Sequence, residues 1–184
     1  MTEATASVTK KSFIERMIGA ALLDVGTYEE VEHDVDATRQ AAGVVVLVAI
    51  CAALGGVAEG QGGLIGRPVT ELLGWLVWSG VTYLIGTRLF SGTATWGELL
   101  RTIGFAKAPG VLFILGPIPF LGGLAAAVAS IWMLFAGLVG IRQALDISTS
   151  QALITAFLGW LAGVAVGFVL FLLFGIPAAV MSSM

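Results

Sequence analysis

Apolar and polar residues alternate along this chain in long blocks. Residues 1–11 are polar and small. From Ser12 the apolar positions Phe13, Ile14, Met17, Ile18, Ala21 and Leu22 recur at helical spacing, and Ser12 with Glu15 has the form of a capping box. This predicts a short amphipathic helix beginning at Ser12. Its apolar stripe is placed in the membrane interface or against the ends of the spans, with Lys10, Lys11 and Arg16 near its start. Thr27 and Glu30 repeat the capping signature, so a second helix is expected there, running directly into an apolar stretch at Ala41 to Ala58.

Four further blocks follow. A connection rich in glycine (Glu59, Gly60, Gln61, Gly62, Gly63, Gly66, Arg67, Pro68) precedes a span over Thr70 to Phe90. A third span runs from Glu98 to Pro119 and ends in Gly116-Pro117-Ile118-Pro119, where two prolines force a reversal. A fourth covers Leu121 to Gln143. Ser148 and Gln151 then form another capping box, opening a fifth over Gln151 to Ile176. At about 1.5 Å per residue each block is about long enough for a hydrocarbon core of roughly 30 Å. The fold class expected is an all-α membrane protein, a five-helix transmembrane bundle with an amino-terminal amphipathic interfacial helix. Residues 1–26 form the flexible terminus and that helix, 27–176 the five-span domain and 177–184 a short tail.

Composition sharpens this picture. Of 184 residues, 58% are hydrophobic and 11% charged, with a mean hydropathy of +0.98, where a soluble domain carries about 25% charged residues. The net charge of −3 gives no footprint for nucleic acid. Lys10 and Lys11 before an apolar stretch resemble a signal peptide, but Glu15, Arg16 and Asp24 interrupt the uncharged core that one needs. With the amino terminus inside, the inner segments hold Lys10, Lys11, Arg16, Arg39, Arg88, Arg101 and Arg142, leaving only Arg67 outside and Lys107 within a span. That bias predicts a cytosolic amino terminus and an outer carboxyl terminus.

The candidate chemistry centres on Lys107. An ammonium at mid-span costs roughly 3 kcal/mol if it faces lipid, so it is expected to face other helices, a partner or a wet cavity. Pro109 frees a carbonyl beside it and is expected to kink the helix. Tyr83 and Thr82 are placed with Lys107 and Pro109 in an intramembrane polar site, and Glu71, Glu98 and Asp146 are the acidic partners considered. Arg88, Glu98, Arg101, Arg142 and Asp146 are expected to form a cytosolic charged rim, tied by ion pairs. Glu29, Glu32, His33 and Asp36 share a helix face. Glu30 and His33 have the Glu-x-x-His spacing of carboxylate metal sites, so a divalent ion is one reading of this cluster and macrodipole stabilisation the other. Gly159, Gly163 and Gly167 form overlapping GxxxG steps, for packing within the bundle or for a homodimer. The single cysteine, Cys51, reads as a packing residue. With one histidine and no paired nucleophile and base, the chain is not expected to be an enzyme.

Several stretches together resemble the Yip domain family, membrane proteins named for interaction with Ypt/Rab GTPases. They are Tyr28-Glu29-Glu30-Val31-Glu32, Gly104-Phe105-Ala106-Lys107-Ala108-Pro109, Ile118-Pro119-Phe120-Leu121-Gly122, Trp132, and the run from Arg142 to Thr149. The resemblance spans roughly Tyr28 to Phe174 and implies five helices, a cytosolic amino terminus and a role in membrane organisation or trafficking. The Asp-Leu-Tyr-Gly-Pro segment of eukaryotic members is lacking, which implies a prokaryotic-type member in a bacterial inner membrane. The expected function is non-enzymatic: organising the bilayer or recruiting a cytosolic protein partner. A small permease or ion-coupled transporter using Lys107 is the alternative.

Overall fold

A computed structural model describes residues 10–57 and 66–170, with side chains described through Ala165. Seven α-helices and one 3-10 helix make up this part of the chain, and no strand occurs among the described residues. Helix α1 (Phe13–Ala21) starts at the expected capping box: the Glu15 amide donates to Ser12 Oγ at 3.3 Å and the Ser12 amide to Glu15 Oε2 at 2.7 Å. Its two sides part company. Phe13 and Met17 pack on the core, Phe13 against Phe105, while Ile14, Ile18 and Leu22 stay exposed.

Helix α2 (Val25–His33) departs from expectation in two ways. Its N-cap is Asp24, whose carboxylate accepts from the Thr27 amide at 3.1 Å, so Thr27 lies inside the helix rather than at its start. It also does not run into the first span. The chain breaks at Asp34 to Asp36 and α3 (Ala37–Gly55) begins afresh. Asp34 is drawn to Lys10 and Arg16 there, and those ion pairs fix the break without glycine or proline.

Helix α4 (Gly66–Phe90) begins earlier than Thr70, taking in Gly66, Arg67 and Pro68. Pro68 is tolerated in the first turn, where its missing N–H has no partner to lose. Residues 58–65, which include Glu59 to Gly63, lie outside the described residues. The third block is not one α-helix. Helix α5 (Trp96–Ala106) opens with a capping box of Thr95 and Glu98, ends at Lys107, and passes into a 3-10 helix over Ala108–Leu115. The kink expected at Pro109 is thus a change of helix type. At about 1.5 Å per residue for α5 and about 2.0 Å for the 3-10 part, the two pieces together run roughly 32 Å. Helix α6 (Leu121–Leu145) and α7 (Thr149–Leu170) complete the bundle. The amide of Ser148 donates to Gln151 Oε1 at 3.0 Å, as the capping box requires. Residues 1–9, 171–176 and 177–184 fall outside the described residues.

Three helices, α3, α4 and α6, are long and apolar enough to cross a membrane, and α7 contributes a shorter apolar stretch, Thr149–Ala165. The α5 and 3-10 segment runs the length of the bundle between α3 and α6. At one end, just before α5, the Thr93 amide donates to the Leu145 carbonyl at 3.2 Å. At the other, Gly116 abuts the end of α3 at Gly55 and the start of α6 at Gly122. Glycines let the backbones meet at this corner, since a Cβ at any of the three would strike a neighbouring backbone carbonyl.

Candidate functional site

Two places concentrate polar chemistry. The first is a cleft of about 440 Å³ between α4 and α6, floored by α5 and closed at one end by Ala156 of α7. Helical spacing puts Glu71, Gly74, Trp75 and Trp78 of α4 on one wall. Met133, Gly137 and Ile141 of α6 face them. At one end Lys107 Nζ donates to Glu71 Oε2 at 2.6 Å. The lysine side chain remains 27% exposed and the glutamate 40%, so the pair is reachable from the cleft. Of the acidic residues considered for Lys107, the structure selects Glu71. Tyr83, Thr82 and Pro109 do not line this cleft. Thr82 is buried beside α7, with Gly159 facing its hydroxyl. Pro109 is buried in the 3-10 helix. Thr82, eleven residues after Glu71, shares its helical phase but lies about 16 Å further along α4, too far to meet Lys107.

Two other cleft groups already have partners. The Trp75 indole donates to the Leu100 carbonyl at 3.0 Å, and Ser130 Oγ to the Ala126 carbonyl at 2.8 Å. The wall is otherwise apolar.

The second place is the flank where α1 and α2 pack on the bundle, α2 near the end of α6 at Gly140 and Gln143 and α1 further along at Phe105 and Trp132. Arg16 is wholly buried and ties three helices together: Nη2 donates to Glu30 Oε1 at 2.8 Å and to Asp34 Oδ2 at 2.7 Å, and Nη1 to Gln40 Oε1 at 2.8 Å. Arg101 is buried too. Its Nε donates to the Val31 carbonyl at 3.0 Å and its Nη2 to the Glu32 carbonyl, so α5 caps the open carbonyl end of α2. Tyr28 lies wholly buried against Gly140, with its hydroxyl donating to the Ala20 carbonyl at 3.1 Å. The Trp132 indole holds the last turn of α1 by donating to the Ala21 carbonyl at 2.7 Å.

The charged rim is therefore differently built from the expected ring of ion pairs. No two of Arg88, Glu98, Arg101, Arg142 and Asp146 form an ion pair within 4 Å among the described residues. Glu98 caps α5, Arg101 caps α2, Arg142 donates to Gln143 Oε1, Asp146 accepts from Thr93 Oγ1 at 2.9 Å, and Arg88 is exposed. Neither do Glu29, Glu32, His33 and Asp36 converge. Glu29 accepts from Gln143 Nε2, Glu32 packs inward, His33 Nδ1 meets the Glu29 carbonyl, and Asp36 lies 3.9 Å from Lys10. Among the described residues no group of three or more His, Cys, Asp or Glu side chains is placed to hold a metal ion. Gly159 is buried against Trp78 of α4, where an added Cβ would lie 3.4 Å from the indole, while Gly163 is exposed and an added Cβ there would lie 4.0 Å from it. Gly167 lies where only the backbone of α7 is described.

Glu32 gives this flank a pH response. It is 8% exposed, and burial pushes its carboxyl from about 4.5 up to about 7, with Glu98 and Asp146 adding to the rise against His33 and Arg101. A raised carboxyl is neutral in both states below the unfolded value. Between pH 4.5 and 7 unfolding lets it ionise, so stability falls as pH rises, by on the order of 2–3 kcal/mol. His33, raised chiefly by the Glu29 carbonyl, acts in the same direction. Asp24, lowered to about 2 by Lys11 and then Thr27, opposes this only in stronger acid. Hydrogen exchange at the α2 amides, corrected for intrinsic rates, is expected to lose protection from pH 5 to pH 8. Glu32→Gln should flatten that dependence.

No curated protein and no solved structure matches this chain. A family model does, and it covers most of the sequence, including α2, the Lys107 segment and the α6 to α7 connection. The match, to the Yip1 domain over residues 25–176, shows that the chain belongs to the Yip1 domain family of membrane proteins.

Proposed function

We propose that this is a five-span, non-enzymatic integral membrane protein of prokaryotic type, which organises the bacterial inner membrane and recruits a partner through a cytosolic face built on α1 and α2. The observation that carries this reading is the construction of that face. Buried Arg16 and Arg101 lock α1 and α2 onto the bundle, yet Ile14, Ile18 and Leu22 form an exposed apolar stripe on α1, and Glu29 on α2 and Asp36 after it are exposed acidic residues. A platform with an apolar stripe suits the plane of the headgroups, and the acidic edge suits a basic protein surface. The roughly 32 Å of α5 with its 3-10 continuation supports a full crossing of a core about 30 Å thick. Lys107 is already neutralised by Glu71, which favours this reading over an ion-coupled permease.

The test is affinity purification from native membranes of the wild type and a Glu29→Lys/Asp36→Lys variant. A cytosolic protein recovered with the wild type and reduced at least tenfold with the variant is the expected result. Equal recovery with both would count against the acidic edge as the docking face.

A further inference from the structure

The Lys107 and Glu71 pair has unused hydrogen-bonding capacity in an otherwise apolar cleft. An ammonium has three donors and a carboxylate about four acceptor sites. Among the described residues the only polar contact of either side chain is the one between them. Within a bilayer no bulk water supplies the remainder, and unsatisfied polar groups there are costly. A ligand that completes both must present an anion to Lys107 and a hydrogen-bonding cation to Glu71. A simple anion would meet Glu71 and a simple cation Lys107, each at a like-charge cost.

The cleft itself selects for shape. Its volume is within the roughly 300–1,000 Å³ of ordinary ligand sites, which are mostly apolar with a few converging polar groups. The charged pair lies toward the end where α4 and α6 begin, and the apolar end, at Ile141 and Ala156, lies toward the opposite end. The mouth opens sideways past exposed Leu134 and Gly74, toward whatever surrounds the helices.

We infer that this cleft is a lateral lipid site, taking one acyl chain of a phosphatidylethanolamine-type phospholipid between α4 and α6 with the phosphate on Lys107 and the primary ammonium on Glu71. The inference rests on the bilayer-spanning reading above, because only then do lipids border the mouth. A primary ammonium donates hydrogen bonds to Glu71. A quaternary choline cannot, and a phosphatidylglycerol head brings no cation at all.

Native mass spectrometry of the full chain in detergent, titrated with phosphatidylethanolamine, phosphatidylcholine and phosphatidylglycerol of identical chains, tests this. One phosphatidylethanolamine should be retained at least tenfold better than either other lipid. A Cβ at Gly137 meets nothing within 4 Å, so Gly137→Leu can fill the cleft without disturbing the pair and should abolish that preference. Glu71→Gln should lose it as well and move toward phosphatidylglycerol. Equal retention of the three lipids by the wild type, or a preference surviving in Gly137→Leu, would overturn the site. If the topology labelling described below still shows the segment crossing, that failure belongs to the lipid site alone and leaves the spanning reading intact.

Discussion

Replacing Arg16 with methionine is expected to cost about 3–5 kcal/mol, the range for removing one partner of a buried ion pair. The side chain is wholly buried, and Glu30, Asp34 and Gln40 all converge on it. Lys10 reaches Asp34 at 2.8 Å and the Lys11 amide reaches Glu30 at 3.0 Å, so part of the negative charge stays compensated and the cost belongs at the lower end. Thermal unfolding in detergent measures it. Most of the penalty comes from the stranded carboxylates, so Arg16→Met combined with Glu30→Gln and Asp34→Asn should recover more than half of the loss. A triple variant no more stable than the single one would show that the guanidinium acts by packing instead.

The second large effect belongs to the corner where α3, the 3-10 helix and α6 meet. A Cβ at Gly116 would enter the carbonyl of Gly55, and backbone cannot step aside as a side chain can. Gly116→Val should therefore cost on the order of 2–3 kcal/mol, as overpacking does. Gly43 is the control: it also lies in a helix of this bundle, but a Cβ there meets nothing within 4 Å. Gly43→Ala should unfold at or above the wild-type temperature, because alanine costs less helix entropy. Equal melting of the two variants would contradict the close approach at Gly116.

Much of this architecture is readable from periodicity and caps. The capping boxes at Ser12 and Ser148 form as their spacing dictates, and the apolar blocks become α3, α4, α6 and α7 with ends moved by a few residues. The same signature misleads at Thr27, because Asp24 caps first and Glu30 is taken by Arg16. It is present and real at Thr95 and Glu98, where the glutamate reads at first as a rim charge. Tertiary contacts decide between the two, and local spacing does not carry them.

Charge is the less legible layer. Nothing in the composition around Arg101 says that it will be buried under the last carbonyls of α2. Its proximity to those carbonyls arises from a pairing some 70 residues apart. Lys107 is the opposite case. The cost of a cation among apolar residues demands a partner, and Glu71 is one of few acids in the spans. What spacing could have added is the stripe of Glu71, Gly74, Trp75 and Trp78, which defines a wall of the cleft and leaves out Tyr83; Thr82 continues that stripe but lies beyond the cleft, buried beside α7.

The passage of α5 and its 3-10 continuation through the membrane is the claim on which the topology and the cleft depend. Single cysteines placed at Ser91 and at exposed Phe120, in a Cys51→Ser background, report on its two ends with a membrane-impermeant maleimide. The account predicts labelling of Phe120→Cys in intact cells and of Ser91→Cys only after the membrane is opened. Labelling of both from the same side would mean that the segment enters and returns, and would contradict it.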